Sequence, residues 1–310
     1  MIRKLFKLRK SFVFLLVFTA FYSYSSPNQA LKAPFMWHIK TEKTNLYLAG
    51  SIHALNKGYY PFSSAYIDAF DTVDSLVVEI NISALDPTLS KTYIDSLTWL
   101  DQGDTLSDKF KTDDIKKLTS FAKHRGMSIQ TLLKLKPWVL LEMISRFQLA
   151  QTNFKTDLGV DQFFIKRAQN DNKVILELET LAEQINAING AKESAQIAAI
   201  SLALSQLEQG QEQLVTLANF WQSADEQGLY QYSQDDIAEQ PNIAPLMTQL
   251  LDNRNQTMAT KIAHYLNSGG SYFVMVGALH LAGPNSIQST LKKMGFELKK
   301  VTASHTYSQN

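Results

Sequence analysis

Four short, nearly continuous apolar runs, drawn from both ends of the chain, constrain its fold more than any other feature. They are Asn45-Leu-Tyr-Leu-Ala-Gly50, Ser75-Leu-Val-Val-Glu-Ile80, Lys173-Val-Ile-Leu-Glu-Leu178 and Ser271-Tyr-Phe-Val-Met-Val-Gly277. A strand with one wet face alternates polar and apolar residues, whereas strands buried on both faces of a parallel sheet read as unbroken apolar runs. Between the first two runs, Ala65 to Asp71 suits a short amphipathic helix, giving a strand–helix–strand unit. Phe35 to Lys40 alternates ahead of a polar turn at Glu42-Lys43-Thr44, which predicts a hairpin into the first run. Phe296 to Val301 reads as a final strand.

The intervening sequence is helical in pattern. Asp113 to Arg125, Pro137 to Leu149, Gly159 to Gln169, Leu181 to about Ala224 with breaks near Gly190 and Gly210, Asn255 to Leu266 and Pro284 to Lys293 carry apolar residues at helical spacing. The expected architecture is α/β: a small, largely parallel sheet with helices on both faces and a large helical insertion. That insertion occupies roughly residues 87–155 and 181–266 of a single domain spanning 26–310. Because the strands come from both ends, the two halves must fold together.

The first 25 residues read as a signal peptide. A basic start (Arg3, Lys4, Lys7, Arg9, Lys10) precedes an apolar stretch, Phe12 to Phe21, and small residues at Ser23, Ser25 and Ser26. The stretch falls short of the ~20 residues that span a bilayer, so no stable membrane insertion is expected after cleavage. The expected location is periplasmic or secreted. The leader also holds five of the 30 basic residues and none of the 29 acidic ones, so the remainder is slightly acidic. That balance argues against nucleic acid as a partner, which needs a basic footprint. With no cysteine in the chain, disulfides, thiolate chemistry and a lipobox anchor are excluded.

Three of the strand-like runs end in a reactive group. The first leads through Gly50-Ser-Ile to His53, the second ends at Glu79, and the last leads through Gly277-Ala-Leu to His280. Ligands of open α/β sheets bind just outside the carboxyl ends of the strands, so two imidazoles and a carboxylate delivered there can share one site. Gly50 and Gly277 suit positions where a side chain would crowd that site or where φ forbids one. The trio suits a divalent ion such as zinc, manganese or cobalt, and equally general acid–base work without one. Taken singly, each residue has a plainer reading, a loop or capping histidine or a glutamate paired with a nearby lysine. His-Glu-X-X-His, Gly-X-Ser-X-Gly and Walker patterns are absent. His38, His124, His264 and His305 belong to no motif and read as structural.

At these residues the sequence resembles the TraB/GumN family, which includes the Tiki-type proteases. The resemblance runs through Gly50-Ser-Ile-His53 with Tyr60-Pro61, Val77-Val-Glu79, Lys136-Pro-Trp138, Gly159-Val-Asp161 and Leu178-Glu-Thr180 with Gln184. It continues through Arg254-Asn255 before Met258 and Val276-Gly-Ala-Leu-His280 before Gly283-Pro284. It implies an α/β core with helical additions, similar to erythromycin-esterase-like and ChaN-like proteins. It also implies a metal-dependent, peptidase-like hydrolase acting on a peptide or small-molecule substrate. Residue by residue it makes His53 and His280 metal ligands or bases and Glu79 their acidic partner. Glu179 then becomes a further possible ligand, or a helix N-terminal charge favoured by the dipole. Arg254 becomes a group for a substrate carboxylate or oxyanion, or an ion-pair partner of Glu179 or Asp161. Asp161 reads as a structural hydrogen-bonding residue, and Pro137 and Trp138 as the anchor of a helix start. The competing function is a haem- or metal-binding protein without turnover, in which Tyr59 and Tyr60 could join His53 as iron ligands. Substrate, metal and oligomeric state are not set by the sequence.

Overall fold

A computed structural model describes residues 34–302. The signal-peptide reading of residues 1–25 and His305 lie outside the described residues. Among the described residues there are six strands, β1 (Met36–Lys40), β2 (Thr44–Ser51), β3 (Ser75–Val78), β4 (Val174–Glu177), β5 (Gly270–Gly277) and β6 (Lys299–Lys300). They form one sheet in the order β4-β3-β5-β2-β1-β6. The pairs β4–β3, β3–β5 and β5–β2 are parallel, while β1 is antiparallel to both β2 and β6. The α/β reading therefore holds. The last strand of any length, β5, lies between the first two parallel ones, so the sheet closes only when the chain is nearly complete.

Burial follows position in the sheet. Leu46, Leu48, Leu76, Val77, Phe273 and Val274 in the three central strands are wholly buried. The Lys173–Leu178 run departs from expectation: β4 is the sheet edge, and Val174 is 57% exposed. An edge strand lacks one neighbour, so its apolar run is covered only in part. The expected terminal strand shrinks to the Lys299–Lys300 pair on β1, two exposed lysines at the opposite edge.

The apolar interior falls into two clusters. One packs the sheet against helices Ser64–Asp71, Val160–Asn170, Gly210–Gln222 and Arg254–Ser268. The other lies within the helical block, among Phe121, Trp138, Leu141, Ile185, Ala199 and Leu246. Trp138 anchors its helix as expected: it is buried, and its Nε1 donates to the Leu97 carbonyl at 2.8 Å. Two features go beyond the stretches of helical spacing. Helix Glu226–Glu239 lies within the expected helical block of 181–266 but outside those stretches, and a π-helical turn, Thr248–Asn253, runs directly into helix Arg254–Ser268. Such turns recur at functional sites, and this one ends on Arg254. Among the described residues no helix is long and apolar enough to cross a membrane.

Helix Pro137–Ala150 also buries a carboxyl. Glu142 is 8% exposed and pairs with Arg146 Nε at 2.5 Å. Burial, opposed by Arg146, raises its pKa from 4.5 to about 7. A carboxyl that holds its proton more tightly when folded stabilises the protein fully below pH ~4.5, and that contribution is lost as pH rises to about 7. The shift corresponds to on the order of 3 kcal/mol. Urea midpoints of wild type should therefore fall between pH 5 and pH 8 by more than those of Glu142→Gln. Equal falls in the two proteins would refute this.

Candidate active site

The parallel register brings the three expected residues together. Ser51 pairs with Gly277, and Val78 with Met275, so β2, β5 and β3 end side by side. His53 lies two residues beyond the end of β2 and Glu79 one beyond β3. His280 sits in the single 3-10 turn Ala278–Leu281 that follows β5. Glu79 is central: its Oε1 lies 4.0 Å from His53 Nε2 and 3.8 Å from His280 Nε2. The same oxygen accepts the Gly277 N–H at 2.6 Å.

Each imidazole is held from behind. His53 Nδ1 lies 2.9 Å from Asp161 Oδ2, and His280 Nδ1 lies 2.6 Å from Asn255 Oδ1. Asn255 is oriented by its own Nδ2, which donates to the Asn285 carbonyl at 2.9 Å. Both acceptors require a proton on Nδ1, which leaves Nε2 as the acceptor nitrogen of the neutral ring, facing Glu79. Asp161, read from the sequence as a structural hydrogen-bonding residue, does that work inside the site. The role of Asn255 was not anticipated. Its one sequence signal was its place beside Arg254 among the shared motifs.

Arg254 and Glu179 complete the cluster. Arg254 Nη2 bonds Glu79 Oε2 at 2.7 Å and Glu179 Oε2 at 2.6 Å, and Nε bonds Glu179 Oε1 at 2.9 Å. Nη1 donates to the Leu250 carbonyl. Glu179 meets the site through Arg254 and Gln184, so the guanidinium bridges two buried carboxylates. Its pairing with Glu179 is the ion pair weighed from the sequence, with Glu79 in place of Asp161.

The environments push the two imidazoles apart. Burial alone would lower the His53 pKa, but the Asp161 charge and hydrogen bond, with Glu79, raise it to about 9 against the opposing Arg254. For His280, burial dominates over Glu79 and combines with Arg254 and His53 to bring the pKa down to about 3. Burial disfavours the Glu79 carboxylate, yet His280, Arg254, His53 and the Gly277 N–H together hold its pKa at about 2. At neutral pH the cluster holds an imidazolium, a neutral imidazole and a carboxylate, the divergence that separates acid from base in catalytic pairs.

Gly277 sits where a side chain would crowd the cluster. A Cβ there would lie 3.2 Å from His53 Nε2 and 3.3 Å from Glu79 Oε1, in the middle of the cluster. Its φ of −54° is open to any residue, so crowding alone is the reason. At Gly50 the crowding comes from Phe35, 2.7 Å from a Cβ, rather than from the site.

A divalent ion suits these donors in kind: two Nε2 atoms lie near one carboxylate oxygen, and each ring has the outer acceptor typical of metal-bound histidine. Tetrahedral ligands at ~2.0–2.1 Å stand about 3.3 Å from one another, and the gaps here are 3.8 and 4.0 Å. Among the described residues, accordingly, no three or more His, Asp or Glu side chains stand close enough to hold an ion without moving. A shift of about half an ångström in each donor pair would close the difference.

Other expected positions lie apart. The Tyr59 hydroxyl donates to the Val215 carbonyl and Asn219, and that of Tyr60 to the Leu158 carbonyl. His38 stacks on Tyr47 and bonds Asn45, and His264 contacts Ser268 on its own helix. The cluster itself opens on a cavity of about 180 Å³.

The profile of the TraB/PrgY/gumN family matches residues 35–300. The chain is 22% identical over 251 residues to the uncharacterized protein YbaP of Escherichia coli strain K12, covering 80% of this chain and 88% of that one. It is 22% identical over 249 residues to YbaP of Shigella flexneri, covering 79% and 87%. No solved structure matches it. The match takes in every residue of the cluster, and this chain belongs to the TraB/PrgY/gumN family.

Proposed function

We propose that this protein is an exported, peptidase-like hydrolase of amide or ester bonds, with a divalent ion of the zinc, manganese or cobalt type held by His53, His280 and Glu79. The observation that carries the reading is the convergence of two tautomer-fixed Nε2 atoms on one Glu79 oxygen, in the lining of a cavity. When bound, such an ion supplies Lewis acidity toward a scissile carbonyl and toward water. The remaining roles belong to the chain. Asp161 and Asn255 fix ring planes and tautomers. Arg254 offsets the charge of Glu79 and Glu179, and the lack of a side chain at Gly277 keeps His53 Nε2 and Glu79 Oε1 uncrowded. His53 would have to give up its Nε2 proton to serve as a ligand.

Elemental analysis of purified protein should find about one divalent ion per chain, lost in the His53→Ala/His280→Ala double variant. Hydrolysis of a mixed peptide library, followed by mass spectrometry, should stop on chelation and return when zinc or manganese is restored. Turnover that survives complete chelation would sink the metal role, and turnover unchanged in the double variant would sink the site.

A further inference from the structure

The cavity at the cluster extends well beyond it. Besides His53, Glu79 and His280 it is lined by Leu214, Leu217, Leu229, Met247 and Leu250, all buried. The first three belong to the apolar cluster on the sheet and the last two to that of the helical block, so the chamber lies at the seam of the two cores. Tyr232, Ser233 and Asp236 also line it. Its volume of about 180 Å³ has room for roughly a dozen waters. Its five aliphatic side chains form an apolar stretch where water gains few hydrogen bonds, set beside the polar groups of the cluster and of Tyr232, Ser233 and Asp236.

A second observation points to a ligand. Ser51 lines the same cavity, is wholly buried, and its hydroxyl has no hydrogen-bond partner among the described residues. Ser51 pairs with Gly277 in the parallel register, at the strand ends that lead to His53 and His280. An unpartnered buried hydroxyl on a residue that lines this cavity is a costly feature, and it suits a polar group that arrives with the substrate.

We infer that the substrate carries an aliphatic chain next to its reacting carbonyl, that the chain lodges in the Leu214–Leu217–Leu229–Met247–Leu250 chamber, and that the carbonyl group hydrogen-bonds Ser51. The placement beside a reacting carbonyl rests on the hydrolase reading, and the aliphatic character of the chain rests on the chamber alone. A leucine-like side chain of a peptide and a free acyl chain share this chemistry.

Calorimetric binding of N-acyl glycinamides from acetyl to decanoyl tests it without needing turnover, alongside dipeptide amides beginning with Leu, Ala or Asp. Affinity should rise by up to about fourfold per added methylene until the chamber is full. Met247→Trp, which fills the chamber, should lower affinity for the longer acyl probes at least tenfold and spare the acetyl probe. Leu217→Ala should move the optimum to longer chains, and Ser51→Ala should weaken every amide probe severalfold without changing the chain-length slope. Preference for the Leu dipeptide over acyl probes of equal carbon count identifies a peptide as the source of the chain, and the reverse identifies an acyl group. Thermal melts of each variant report whether it is folded. Affinity independent of chain length in folded wild type, or a profile unmoved by both Met247→Trp and Leu217→Ala, overturns the inference. Chain-length-dependent binding without hydrolysis would support the chamber while refuting the hydrolase reading. Hydrolysis indifferent to chain length would do the opposite.

Discussion

His280→Ala is expected to lower hydrolysis by about 10²–10⁴-fold and to weaken cobalt(II) binding, read from its visible absorption, by a comparable factor. The ring is buried, neutral at physiological pH, and presents Nε2 to Glu79, so it is the cluster member best placed to act as a ligand without first losing a proton. Removing it leaves Asn255 Oδ1 without its partner, a cost of roughly 1–3 kcal/mol, so a melt should show a folded protein of lower stability. Asn255→Ala separates orientation from chemistry: the imidazole stays but its tautomer is released, and the expected loss is only about 10–100-fold. His38→Ala, remote from the cluster and stacked on Tyr47, should leave both readouts unchanged. Wild-type turnover in folded His280→Ala would remove the cluster from the reaction.

Much of this site was legible because a parallel sheet turns sequence into position. Runs buried on both faces announce β2, β3 and β5, and the carboxyl ends of such strands are where ligands bind. His53, Glu79 and His280 follow from that rule. What the rule lacks is strand order. Only the pairing of β5 with both β2 and β3 brings three distant segments to one edge. The outer partners of the rings were harder to see. Asp161 and Asn255 begin helices 108 and 25 residues from the histidines they orient, and periodicity marks neither as more than a polar residue near a helix start. Helix Glu226–Glu239 escaped for a related reason: its buried residues are Leu229, Tyr232, Ser233 and Asp236, too polar a face to stand out as an apolar stripe. The edge strand β4 misled in the opposite direction, because an apolar run records composition and not the number of neighbouring strands.

Arg254→Met is expected to cost about 3–5 kcal/mol of stability, as for other buried pairs that lose one partner. The carboxylates it bridges have side chains only 9% and 3% exposed, and they come from β3 and from the end of the β4 segment. Without the guanidinium, Glu79 and Glu179 face each other's charge with His53 as the remaining nearby cation. Arg254→Lys keeps the charge but cannot bond both carboxylates through a planar fork, so its loss should fall between wild type and Arg254→Met. Adding Glu179→Gln to Arg254→Met removes one of the two uncompensated charges and should restore part of the loss, making the double variant more stable than the single one. Acid should have the same effect. Buried carboxyls that have lost their cation bind protons more tightly folded than unfolded, so Arg254→Met gains on wild type as pH falls from 7 toward 5. Denaturant midpoints of the four proteins at those two pH values decide the matter. A cost under about 1 kcal/mol, as for an exposed ion pair, with no gain at lower pH, would mean that the bridge is not what holds the carboxylates in place. The helix leading into Arg254 through its π-helical turn would then have to owe its position to the apolar contacts of Leu250 and Met258 instead.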